Sequence, residues 1–220
     1  MPSPILFLSG AGLLPWIWDD VRSALPVESR VAVYPRGDAS LETYADAALA
    51  AADGWDRFRI VAHSIGGVVA AAVVGRAPER VPGLVAVSAS VPAAGSSFVG
   101  ALPVPQRQVM GIVIRLLGTR PPDKAIREGL CAGLDDELAA RIVAEFAPES
   151  KALYRDPVPA RAFTDAVYVL TEQDTQFPPS LQQKYAAELG GDVVRMDTAH
   201  LPMLQQPARL AEIIAASQAS

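Results

Sequence analysis

Short, mainly apolar runs alternate with stretches of helical character along most of the chain. The runs fall at residues 5–8, 31–34, 58–62 and 84–87, and again at 166–170 and 193–196. A strand that alternates apolar and polar positions has one wet face, whereas an unbroken run is buried on both faces, as in a parallel sheet. The stretches between them read as helices at 16–25, 41–52, the run after residue 62 as far as 77, 179–189 and 203–216. Pro15 and Pro26 bracket the first of these, and Gly190-Gly191 supplies a stop for the fourth. Strand and helix in alternation predict βαβ units, and so an α/β fold of three layers with about six parallel strands.

The alternation stops between residues 91 and 159. No strand pattern occurs there, and helices are predicted at 107–117, 124–131 and 135–146, the last opened by the acids Asp135-Asp136-Glu137. The segment is too long for a connecting loop in a compact domain. It is expected to form a helical cap inserted in a core made of residues 1–90 and 160–220. The row Ile112, Ile114, Leu116 and Leu117 is expected to supply part of an apolar pocket, with Ile112 and Leu116 foremost.

Composition narrows the function. The 220 residues fit one domain, half of them hydrophobic, with a net charge of -5 and no long basic run. Nucleic acid is therefore not an expected partner, since phosphate binding needs clustered Lys and Arg. No apolar run approaches the roughly 20 residues of a membrane span. The N-terminal stretch lacks the positive start of a signal peptide, so the expected location is cytoplasmic. Cys131 is the single cysteine, which rules out an internal disulfide and a cysteine metal cluster and leaves a small packed hydrophobe.

The chemistry centres on residues 58–70, FRIVAHSIGGVVA. An apolar strand, a small-x-Ser-x-Gly turn and an Ala-rich helix would place the Ser64 hydroxyl at the tip of a tight bend, with a helix start pointing at it. A serine needs a base to take its proton, and the base needs an orienting acid. The chain has two histidines. His63 adjoins Ser64, and neighbours on a tight turn diverge, so His63 is expected beside the site and His200 is expected to be the base. His200 follows the last strand and Asp174 the strand before it, so with Ser64 all three belong to the C-terminal edge of the sheet, where ligands bind. Glu172 and Asp197 are alternative acids. Backbone N–H groups of Ile65 and of Ala11, in the loop after the first strand, are expected to hold an oxyanion. Gly10 and Gly12 let that loop approach a substrate.

These residues resemble the α/β-hydrolase superfamily, nearest its small-molecule esterase and hydroxynitrile-lyase-like branch. Residues 7–12 with Trp16 and Trp18 resemble the oxyanion loop and aromatic pair. Residues 168–174 resemble the acid loop, and His200-Leu201-Pro202-Met203-Leu204 the histidine loop. The resemblance implies an acyl-Ser64 intermediate, no cofactor and no metal. Together with the cap row and the glycine loop, Gly10, Gly12, Trp16, His63, Ile112 and Leu116 are expected around a small-molecule substrate. Three positions depart from it. Ser9 stands where His is usual, Ala62 where Gly is usual, and Leu201 where hydroxynitrile lyases carry a lysine that holds departing cyanide. The first two strands usual in the superfamily are not expected, because the chain opens at the strand before the oxyanion loop.

The expected activity is hydrolysis of a small, largely apolar ester or thioester by Ser64, His200 and Asp174. An elimination, cyclisation or acyl transfer with His200 as general base is the alternative, and a small-molecule receptor the third reading. Monomer and homodimer are both open.

Overall fold

The computed structural model describes residues 3–218; Met1, Pro2, Ala219 and Ser220, the outermost residues of the expected core, lie outside the described residues. Six parallel strands form one sheet: β1 (Ile5–Leu8), β2 (Ser29–Val31), β3 (Arg59–His63), β4 (Leu84–Val87), β5 (Ala166–Thr171) and β6 (Asp192–Met196). Their order across the sheet is β2-β1-β3-β4-β5-β6. The four central strands β1, β3, β4 and β5 are buried at every position, whereas β2 and β6 at the edges are not. Four of the six apolar runs therefore mark strands covered on both faces, while those at 31–34 and 193–196 fall at the edges of the sheet.

Alternate side chains feed two cores. Leu6, Leu8, Ile60, Ala62, Tyr168 and Leu170 pack on α2 (Leu41–Ala51), α3 (Gly66–Arg76) and α9 (Pro179–Leu189). Ile5, Phe7, Val61, Val85, Val87 and Val169 face the other way, onto Trp18, onto Val21 of α1 (Asp19–Ser23) and onto Leu210 and Ile214 of α11 (Pro207–Ala216). Ser40 caps α2 by accepting the Thr43 N–H at 3.3 Å.

Three boundaries differ from the sequence reading. The second strand ends at Val31, with only the Ala32 N–H still reaching Phe7 O, and Val33 lies 66% exposed. Tyr34 has left the ladder to donate its hydroxyl to Ser9 O at 3.1 Å. The expected helix 16–25 is a 3-10 turn, Pro15–Trp18, followed by the short α1. The last helix is two, α10 (Pro202–Gln205) and α11, because Pro207 has no N–H to continue the first and Gln206 lies outside the helical region at φ -140, ψ 59.

The segment between β4 and β5 is helical as expected: α4 (Phe98–Ala101), α5 (Gln106–Leu117), α6 (Asp123–Ala125), a π turn (Ile126–Leu130), α7 (Asp136–Glu145) and α8 (Lys151–Arg155). Helices α4 and α8 carry no long apolar pattern. Each is started by a serine, Ser97 and Ser150, whose hydroxyl caps the first turn.

Candidate active site

The turn after β3 holds Ser64 at φ 53, a left-handed conformation that costs a non-glycine residue about 1–3 kcal/mol. Its own backbone is pinned on both sides: the Ser64 N–H donates to Val87 O at 3.2 Å, and Ser64 O accepts from Ser90 N–H at 2.9 Å. The bend is possible because nothing larger fits beneath it. A Cβ on Gly66 would stand 2.5 Å from Leu8 O, and one on Gly67 would run into Ser90 O. On the far side, a Cβ on Gly10 would meet His63 Nδ1 at 2.7 Å. Ser64 itself is half-buried, its side chain bordering a cavity.

Asp174 lies behind the cavity wall, in contact with His200, which lines it. His200 Nδ1 lies 2.6 Å from Asp174 Oδ2, and both side chains are almost wholly buried. Ser88 donates to the same oxygen at 2.6 Å and Thr171 at 3.0 Å, while the N–H groups of Gln176 and Phe177 donate to Oδ1 at 2.9 and 2.8 Å. Burial pushes the Asp174 carboxyl up, but hydrogen bonding to His200, its charge, Ser88 and the Phe177 N–H outweigh it and hold the group down at about 2. An ionised carboxylate can only accept, so Nδ1 donates to it and the ring is held with Nε2 on its other side. Gln182 locks the loop from below, taking the Thr171 N–H at 3.0 Å and giving to Phe177 O at 2.6 Å. The other two acids point elsewhere: Glu172 pairs with Arg195, and Asp197 accepts from Gln173.

His63 is fully buried, with Nε2 2.8 Å from His200 O. Burial, then the proximity of His200, lowers it to about 3. It is a neutral donor that holds the His200 backbone. Among the described residues Ser64 Oγ makes no hydrogen bond, and it lines the same cavity as His200.

The cavity, about 200 Å³, is walled on one side by Gly10, Ala11, Leu13, His63, Ser64 and His200. The β4–β5 segment and the loop after β5 supply the other wall, with Phe98, Met110, Ile126, Phe146, Tyr154 and Phe177. No Lys, Arg, Asp or Glu lines it. Among the described residues, no group of three or more His, Cys, Asp or Glu could hold a metal.

Four residues expected around the substrate stand apart from the cavity lining. Ile112 and Leu116 are 59% and 71% exposed on the outer side of α5, and Ile114 is buried in the core. Met110, nearer the start of the helix, takes the lining position. Periodicity identifies an apolar face without saying which way it points. Trp16 turns to α7, donating to Glu145 at 2.6 Å under the Arg141 guanidinium. Gly12 lies behind the lining, where a Cβ would strike the Phe146 ring. Its N–H donates to Glu149 Oε1 at 3.3 Å, its carbonyl accepts from Ala147 N–H at 3.1 Å, and Tyr44 OH donates to Glu149 Oε2 at 2.8 Å. Ser9 ties the same loop to Trp18 by accepting its Nε1–H at 3.1 Å.

Two residues were missed in the sequence. Ser88, at φ 43, directly follows β4 on the same sheet edge as the other strand-end residues, and that position was a readable signal. Glu149 gave none, since 137 residues separate it from Gly12.

A parallel sheet with a strained serine after β3 and a buried Asp–His pair after the last two strands defines a hydrolase-type α/β enzyme. The sequence profile of the alpha/beta hydrolase family matches residues 5–213, and the chain belongs to that family. No curated protein sequence matches the chain. Solved structures share the fold. An extracellular alpha/beta-hydrolase from a Paenibacillus species, described as sharing structural and functional homology with tobacco salicylic acid binding protein 2, has a TM-score of 0.85 at 17% identity, over 98% of this chain and 99% of its own. A pyrethroid hydrolase from Sphingobium faniae JZ-2 has a TM-score of 0.76 at 20% identity, over 99% and 98%. A methylesterase from Arabidopsis has a TM-score of 0.77 at 16% identity, over 99% of each chain. Among the described residues no helix is long and apolar enough to cross a membrane.

Proposed function

We propose that this enzyme hydrolyses a small, largely apolar ester or thioester through an acyl-Ser64 intermediate. The observation that carries the reading is the buried 2.6 Å contact of His200 Nδ1 with Asp174 in the cavity that Ser64 borders. His200 Nε2 takes the Ser64 proton as Oγ attacks the carbonyl carbon. The tetrahedral oxyanion is held by the Ala11 and Ile65 N–H groups, neither of which has an acceptor among the described residues. Collapse expels the alcohol or thiol, which receives the proton from His200. Water then repeats the cycle and releases the acid.

The cavity supports the substrate class. It is smaller than the roughly 300–1,000 Å³ of sites for drug-sized ligands, and its walls carry no charged side chain to pair with a carboxylate or phosphate. The β4–β5 segment acts as the cap of residues 91–159, covering the site and sorting substrates.

Ser64→Ala and His200→Ala are each expected to remove p-nitrophenyl acetate turnover and labelling by a fluorophosphonate probe. Full activity in either variant would sink the proposal.

A further inference from the structure

Helix α5 turns its apolar side to water. Val109, Ile112, Val113, Leu116 and Leu117 are 58%, 59%, 39%, 71% and 79% exposed. Their three- and four-residue spacing makes one stripe along a helix about 18 Å long. Ile114 alone on this helix is buried. A contiguous stripe of this kind is more than the scattered apolar residues of an ordinary surface.

The stripe is flanked by positive charge. From residue 80 to 122 the chain has no Asp or Glu, although the whole protein carries -5. Arg107 and Arg115 are exposed on α5. Lys151 Nζ donates to Arg115 O at 3.2 Å, and Arg155 donates to Gly111 O at 2.8 Å, which brings two more exposed cations beside the helix. Among the described residues none of these four makes an ion pair.

We propose that α5 docks the protein on an anionic lipid surface. The stripe would sink to the boundary of headgroups and acyl chains, and the four cations would take anionic headgroups. A convex single-helix ridge offers no groove for a protein partner to fill, whereas a fluid lipid surface needs none. A second copy fits less well. A two-fold contact across the stripe would set the same four cations against their own images. Met110 belongs to this helix, is 37% exposed and also lines the cavity. If the hydrolase reading holds, an ester dissolved in lipid has a short path to Ser64; the docking itself does not depend on that reading.

Flotation with phosphatidylcholine vesicles, with and without phosphatidylglycerol, tests it, alongside analytical ultracentrifugation of the free protein. The wild type is expected to float with the anionic vesicles. Val109→Glu with Leu117→Glu should reduce binding more than about tenfold, with unchanged thermal midpoint and unchanged p-nitrophenyl acetate turnover. Arg107→Ala with Arg115→Ala should cost about thirtyfold on anionic vesicles only, at roughly fivefold per cation. Raising salt to about 1 M, where the Debye length is roughly 3 Å, should erase that anionic preference. The proposal fails if the wild type does not float, if the Glu variant floats equally well, or if the stripe proves to hold a dimer that the Glu variant dissociates without any vesicle binding. Vesicle binding is read without turnover, so a failed docking surface and a failed hydrolase reading give different results.

Discussion

Two regions face each other across the cavity and are held by different forces. At the strand ends, each polar atom of Asp174 is occupied: Ser88, Thr171 and His200 on one oxygen, Gln176 and Phe177 on the other. Two residues there, Ser64 and Ser88, sit in left-handed backbone that the surrounding sheet enforces. The β4–β5 segment has the reverse character. Its longest helix, α5, buries Ile114 alone and shows water most of its apolar surface. A site that must hold reacting atoms within a fraction of an ångström is set on strand ends and saturated with hydrogen bonds. A wall that must admit varied apolar groups needs only shape and apolar surface.

That contrast can be broken most directly at Ser64. Ser64→Gly should abolish turnover, a loss of about 10⁴-fold or more in kcat, yet raise stability by about 1 kcal/mol because glycine accepts φ 53 without strain. Thermal unfolding beside the activity assay checks both signs. If stability falls instead, the strain reading of the elbow is wrong.

Asp174→Asn comes next, with kcat expected down about 10³–10⁴-fold from loss of the imidazole's orientation. It carries a pH signature as well. The folded carboxyl titrates at about 2 against an ordinary 3.8, so it prefers its charged form in the folded state. The resulting stability, about 2 kcal/mol, is present above about pH 4 and lost as pH falls through 2. Acid unfolding of the wild type should show this loss between those limits, and Asp174→Asn should not.

Glu149 sharpens the comparison, because it is the place where the two regions join. It holds the Gly12 N–H, beside the Ala11 donor, while sitting in the β4–β5 segment. Glu149→Ala should lower kcat about tenfold with KM little changed, since a displaced oxyanion donor is felt in the transition state. Glu149→Gln, which keeps the size and one acceptor oxygen for the Gly12 N–H but gives up the second acceptor facing Tyr44 OH, should recover part of the loss. Equal defects in the two variants would mean a general loosening of the segment.

The smallest effect belongs to the outer wall. Ile112→Ala and Leu116→Ala should change turnover of a soluble ester less than about twofold, as exposed substitutions usually do little, whereas Met110→Ala should alter chain-length preference. A large loss at Ile112 or Leu116 would mean that α5 turns inward when substrate binds.

Much of the core was legible, for a physical reason. A strand buried on both faces is apolar at most positions, so the runs 5–8, 60–62, 84–87 and 166–170 stood out without any partner being known. Parallel strands also share one edge, so residues just beyond them can be gathered in advance, and Asp174 and His200 do meet there. Ser88 lay within reach of the same argument. The edge strand β2 was misjudged because its ends depend on pairing with β1 and on where Tyr34 goes. The final helix was misjudged because the break at Pro207 was passed over.

Local sequence alone determined the four central strands, the serine turn with its small neighbours, and the helical character of residues 91–159, since each depends on covalent geometry or on burial along one stretch of chain. Only the tertiary structure decided which acid His200 meets, that Met110 and not Ile112 or Leu116 borders the cavity, that Trp16 turns away, and that Glu149 holds the Gly12 N–H. Those are contacts between stretches far apart in sequence. Helical periodicity is unchanged by rotating a helix about its axis, so α5 could be known as a helix before it could be known which side of it meets the site.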